Sequence, residues 1–135
     1  MTEAKVKEYV EYWWITAAND KKTLDALYKS KRYDAALFFG HIILEKILKA
    51  LVVENTKGVA PFIHDLVRLE SLTAAGLSPE EKDLLDEVNE FNIRARYPED
   101  KFLFFKRCTK AYVDQFIPRI ITLYEKLCQK VKQKK

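Results

Sequence analysis

The stretch "YDAALFFGHIILEKILKALVVE", residues 33–54, decides the fold. Its apolar residues recur at three- and four-residue steps and cover most of a helical circumference. A helix apolar nearly all round has to be buried, either at the centre of a bundle or in a subunit interface. Its polar residues Asp34, His41, Glu45 and Lys49 follow one another at steps of seven, four and four, which keeps them on one stripe. Two readings of that stripe stay open: a solvent-facing strip with an ordinary Glu45–Lys49 pair, or one wall of a polar cleft. Helix geometry alone favours the solvent-facing strip.

Outward from this segment the helical pattern continues. Upstream, Val6, Val10, Trp13, Ala17, Leu24, Leu27 and Tyr28 give helical spacing over residues 3–29, with Asn19-Asp20 as a candidate kink. Downstream, "NTKGVAPF" breaks the pattern at Gly58 and Pro61, and a short helix is expected at about 64–74, ended by Gly76. "LSPEEKDLLDEVNEFNIRAR" opens with Ser78 as N-cap, Pro79 at the first helical position and acids in the first turn. Tyr97 precedes Pro98, so that helix should stop near Arg96. A loop and a last long helix over 106–132, kinked at Pro118, complete the pattern. The expectation is an all-α, antiparallel up-and-down bundle of about five helices, forming one domain over 1–135.

Composition supports this. Three glycines and four prolines in 135 residues leave little material for turns, which argues against a sandwich or barrel. Apolar residues at 48% against charged ones at 33% give a globular balance. No apolar run reaches the roughly 20 residues that span a bilayer, and the N-terminus lacks a signal-peptide core, so no membrane partner is expected. Cys108 and Cys128 stand apart on one expected helix and read as idle thiols in a reducing compartment, which favours a cytoplasmic address.

Charge is unevenly spread. Residues 80–100 hold eight acids and three bases, so the rest of a chain of net charge +4 carries +9. Residues 126–135 hold five lysines and no acid. That basic tail, 127–135, reads as a fraying helix end; as a nucleic-acid footprint it lacks interleaved arginines and aromatics. "KFLFF" at 101–105 reads as core packing, with an exposed contact patch as the alternative.

Familiar catalytic signatures are missing. There is no CxxC, HExxH or phosphate-binding loop. His41 and Glu45 form an i, i+4 pair of ligand type, but too few other ligands accompany them, so neither metal nor cofactor is expected. His64-Asp65 opens the third helix, where a hydrogen-bonded cap is the ordinary role. More informative is "NEFNIRARYPED", residues 89–100, which places Arg94 and Arg96 where the chain must bend. Residues two apart on a helix diverge by about 200°. One guanidinium is therefore expected inward behind Phe91 and the other free. A guanidinium suits a phosphate and a carboxylate equally, and both readings stay open.

Together these pieces resemble the HEPN domain family. "YDAALFFGHIILEKILKALVV", then "HDLVRL", a spacer and "IRARYP" carry the resemblance over about residues 15–125. Its characteristic parts are Glu45-Lys46-x-x-Lys49-Ala50, His64-Asp65-Leu66 and Arg96-Tyr97-Pro98. The resemblance implies a compact antiparallel helical bundle that commonly dimerises. It also implies divergent functions. Many members are toxins or defence proteins that cleave RNA without metal, using an arginine followed four to six residues later by a histidine. Others bind nucleotides or partner a small nucleotidyltransferase encoded alongside them.

This sequence departs from the nuclease pattern, since no histidine follows either arginine. Tyr97, with an ordinary pKa near 10, is a poor base at neutral pH. The resulting expectation is a homodimeric binding module rather than an enzyme. It would take a nucleotide or pair with a nucleotidyltransferase in a toxin–antitoxin-like system. Arg94, Arg96 and Tyr97 would meet phosphate or an acidic partner, with Lys46, Lys49 and His41 as lesser candidates. The alternative is a metal-independent ribonuclease in which Arg94 or Arg96 works with His41 or His64. A scaffold without a small ligand, joined through its acidic and basic faces, is the third reading.

Overall fold

A computed structural model describes residues 1–132, and every regular element among them is helical. Helix α1 (Glu3–Lys29) starts at Thr2, whose side chain accepts the Lys5 N–H at 3.1 Å. The chain reverses through Ser30, Lys31 and Arg32, with Lys31 in a left-handed conformation at φ 66°, into α2 (Tyr33–Thr56). So short a link makes α1 and α2 antiparallel neighbours. Lys57, again left-handed at φ 59°, ends α2 and donates its N–H to Val53 O at 2.9 Å. A loop leads to α3 (Leu66–Ser71), then α4 (Pro79–Arg94), α5 (Pro98–Arg107), α6 (Lys110–Val113) and α7 (Ile117–Lys130).

Helix α2 is the axis of the bundle. It touches α1, α3, α4, α5, α6 and α7, and Leu37, Ile43, Leu44, Ile47 and Leu48 are wholly buried. Around it pack Val6, Val10, Ala17 and Leu24 of α1, Leu85, Val88 and Phe91 of α4, and Ile120, Leu123 and Leu127 of α7. One approach is unusually close. A Cβ placed on Gly40 would lie 3.0 Å from Ile120 Cδ1, so glycine lets α7 settle against α2.

The all-helical fold and the α4 N-terminus match expectation. Ser78 Oγ accepts the Glu81 N–H at 3.2 Å, and Glu81 Oε1 accepts the Ser78 N–H at 2.8 Å, a complete capping box. Other expectations are corrected. The described residues form seven helices where about five were expected, the short α3 (Leu66–Ser71) and α6 (Lys110–Val113) among them. Asn19-Asp20 does not kink α1, because the Asp20 carboxylate is taken by Lys46 Nζ at 2.6 Å instead of turning to its own backbone. The expected loop after Arg96 is largely helix α5, since Pro98 opens a new helix at its first turn. The expected long last helix is divided into α5, α6 and α7. Pro118 lies in the first turn of α7, where its missing N–H costs nothing, so it starts a helix rather than kinking one. Of "KFLFF", only Phe104 enters the core; Phe102, Leu103 and Phe105 are exposed. The basic tail is ordered as far as it is described. Leu127 and Val131 are buried, and the Lys132 N–H donates to Glu54 at 2.8 Å. Residues 133–135 of that tail lie outside the described residues.

Gly40→Val should lower stability by about 1–3 kcal/mol, because the added methyls meet Ile120 in a packed interface. Shortening Ile120 to Val in the same chain should recover part of that loss, as read by urea unfolding of both variants.

Candidate functional site

The polar stripe of α2 is not a solvent strip. His41 is wholly buried, Lys49 is 5% exposed and the Glu45 side chain is 12% exposed. The bundle draws this face inward, and the buried polar atoms then need partners. Glu45 supplies most of them. Its Oε2 accepts from Lys49 Nζ at 2.9 Å, and both its oxygens lie 3.1 Å from His64 Nδ1, which donates. Lys49 also sits 5.1 Å above the Trp13 ring, so its charge is held between a carboxylate and an aromatic face.

His41 is anchored from the other side. Its Nε2 donates to the His64 carbonyl at 2.9 Å, which leaves Nδ1 as a bare acceptor. That atom has no hydrogen-bond partner and lies 3.6 Å from Glu45 Oε1. Burial lowers the His41 pKa below its ordinary 6.5, and the charges of His64 and Arg96 act in the same direction, against the raising effects of Glu45 and the backbone bond. His41 is thus a neutral strut that fixes the backbone beside His64.

Above this support lies an open cleft of about 410 Å³, lined by His64, Asp65, Asp86, Asn89, Glu90, Asn92, Ile93, Arg96 and Tyr97. Asp65 and Asn89 shape its wall. Asp65 Oδ1 caps α3 through the Val67 and Arg68 N–H groups and also accepts from Asn89 Nδ2 at 3.0 Å, while Asn89 Oδ1 accepts the Leu66 N–H at 2.9 Å. His64 is held by Glu45 and Glu90 is approached by Arg94, whereas Arg96 and Asn92 are available. Arg96 is exposed, and among the described residues no carboxylate pairs with it. Asn92 is 7% exposed, yet its amide makes no hydrogen bond among the described residues. An amide open on a cleft wall can both donate to and accept from a ligand.

The expected site residues therefore divide. Arg96, Tyr97 and His64 share the cleft, with His41 directly beneath. Arg94 points elsewhere and approaches Glu90 at 3.8 Å. Lys46 is tied to Asp20, and Lys49 is buried against Glu45, so neither lines the cleft. Neither arginine is inward behind Phe91, because Asn92 occupies the buried polar place. Asn92 was legible in principle: it falls four residues after Val88, on the core stripe of α4, where an amide is out of character. Cys108 plays no part. Burial, aided by the Asp34 charge, pushes its thiol up to about 12. Among the described residues no cluster of three or more His, Cys, Asp or Glu is arranged to hold a metal ion. No helix among them is long and apolar enough to cross a membrane.

The HEPN domain family model matches residues 10–132. The chain therefore belongs to the HEPN family, and its helical bundle is the fold that family implies. No curated protein and no solved structure matches it.

The buried neutral His41 carries a pH signature. Because its pKa is lowered in the folded state, the unfolded chain binds the extra proton first as pH falls below 6.5, and stability declines there. Thermal melts between pH 7 and about pH 5 should show that decline, with a flatter profile in His41→Gln.

Proposed function

We propose that this HEPN protein is a binding module whose cleft takes the phosphate of a nucleotide or of RNA. Arg96 is the phosphate ligand, Asn92 hydrogen-bonds the adjoining part of the ligand, and Tyr97 lies beside them. The carrying observation is Arg96 itself. It stays free of carboxylates in the most acidic part of the sequence, in the same cleft as the Asn92 amide, which no protein group among the described residues engages. Guanidinium is suited to that role, since it stays charged and donates two parallel hydrogen bonds to phosphate oxygens.

The homodimer and the nucleotidyltransferase partner belong to the same proposal, in a toxin–antitoxin-like pairing in which the partner's substrate or an acidic partner group enters this cleft. Isothermal titration with a nucleoside monophosphate tests the cleft. Arg96→Ala should weaken binding about tenfold to a hundredfold, as loss of a charged hydrogen-bond pair does. Arg94→Ala should change it less than about twofold, because that side chain is turned toward Glu90. Equal affinity in Arg96→Ala would overturn the assignment.

A second reading has one specific support: His64 lies in the cleft with Arg96 and is oriented by Glu45 through Nδ1. Its Nε2 would take a proton from a ribose 2'-hydroxyl. The hydroxyl oxygen would attack the phosphorus as the 5'-oxygen leaves, giving a 2',3'-cyclic phosphate, with Arg96 steadying the phosphate charge. Under the binding reading, RNA incubated with the protein in EDTA stays intact. Cleavage in EDTA that disappears in His64→Ala would instead establish the ribonuclease.

A further inference from the structure

Helix α5 leaves an aromatic and basic face uncovered. It packs on α2 and α4 through Phe104, whose ring lies 5.6 Å from that of Phe91, while Phe102, Leu103 and Phe105 are 57–61% exposed. Helical spacing places Lys101, Phe102, Phe105 and Lys106 within about 140° of one another, on one face. Lys106 Nζ lies 4.4 Å from the centre of the Phe102 ring. Lys101, Lys106 and Arg107 are exposed and pair with no carboxylate among the described residues.

Three features give this face one kind of occupant. First, its charge: after the acids Glu99 and Asp100 of the first turn of α5, residues 101–113 hold four bases and no acid. Second, its composition: two aromatic rings lie between two lysines, which suits stacked bases and a phosphate chain together. Third, its position: α5 begins at Pro98, immediately after Arg96 and Tyr97 of the cleft. A duplex hides the base faces that such rings need, whereas a single strand presents them.

We infer that α5 is a track for single-stranded nucleic acid, carrying the strand on from a nucleotide whose phosphate lies at Arg96. Bases stack on Phe102 and Phe105, and the backbone follows Lys101 and Lys106. The inference rests on the phosphate-binding reading of the cleft and extends it from a mononucleotide to a strand.

Fluorescence anisotropy with a labelled oligouridylate, an oligodeoxythymidylate of equal length and an RNA duplex tests it, beside titration with a nucleoside monophosphate. The single strands should bind more tightly than the duplex or the monophosphate. Phe102→Ala/Phe105→Ala should weaken single-strand binding about tenfold or more and leave the monophosphate unaffected. Lys101→Ala/Lys106→Ala should reduce the salt dependence. A difference between the RNA and DNA single strands assigns the role of the 2'-hydroxyl, and equal binding assigns recognition to bases and phosphates; both keep the track. If the monophosphate binds but single strands bind no more tightly, or the phenylalanine variant keeps full affinity for them, the track is wrong and the cleft stands. If strands bind through the phenylalanines while the monophosphate does not bind, the cleft reading fails and the track survives. A phenylalanine variant that changes only the sedimentation state would make the face a protein interface and overturn the track.

Discussion

Burial of α2 around almost its whole circumference is the constraint from which the rest follows. A bundle built on that helix has no outside position for His41, Glu45 and Lys49, so they enter the interior and must be satisfied there. Glu45 does this by meeting Lys49 and His64 at once, with His41 Nδ1 close by. Its carboxylate ties the axis of the bundle to the segment before α3. The support of the site is thus part of the core, and the cleft inherits the rigidity of the packed helices.

The opposite wall is set by α4, and there the demands of folding and binding separate. Leu85, Val88 and Phe91 are core residues, and Asn92 is the next position on the same stripe. An apolar residue there would pack at no polar cost. An amide there opens on the cleft, where it can hydrogen-bond water or a ligand. Just beyond, α4 ends at Arg94 and the turn to α5 brings Arg96 and Tyr97 to the rim. The charge reverses within α5, whose first turn still carries Glu99 and Asp100 and whose bases begin at Lys101. A polyanion is therefore repelled along α4 and the first turn of α5 and attracted only beyond Lys101.

Long-range features were legible in the sequence where one rule acted alone. The apolar run at 33–54 fixed the central helix, the Ser78–Glu81 capping box fixed the start of α4, and Arg96 with Tyr97 stood out at the helix exit. Readings failed where the same residue type serves two purposes. Proline marks a kink inside a helix and a start at its first turn, and Pro98 and Pro118 both took the second role. A polar stripe at steps of four is a solvent face on a surface helix but a buried network on an axial one, and only the packing of α1 and the 57–65 loop over α2 distinguishes them. Asn92 was passed over because its neighbours Phe91 and Ile93 made the run look apolar. The convergence of Glu45, His64 and Arg96 joins positions far apart in sequence, which periodicity along one element cannot show.

The most direct test of the central claim is an NMR titration of the isotopically labelled protein with a nucleoside monophosphate, following the Asn92 side-chain amide and the Arg96 Nε–H. If the cleft binds phosphate as argued, both signals shift together and saturate at one ligand concentration, while Arg94 Nε–H stays in place. Shifts confined to Lys101, Lys106 and Arg107, or no saturable shift at Asn92 and Arg96, would contradict it.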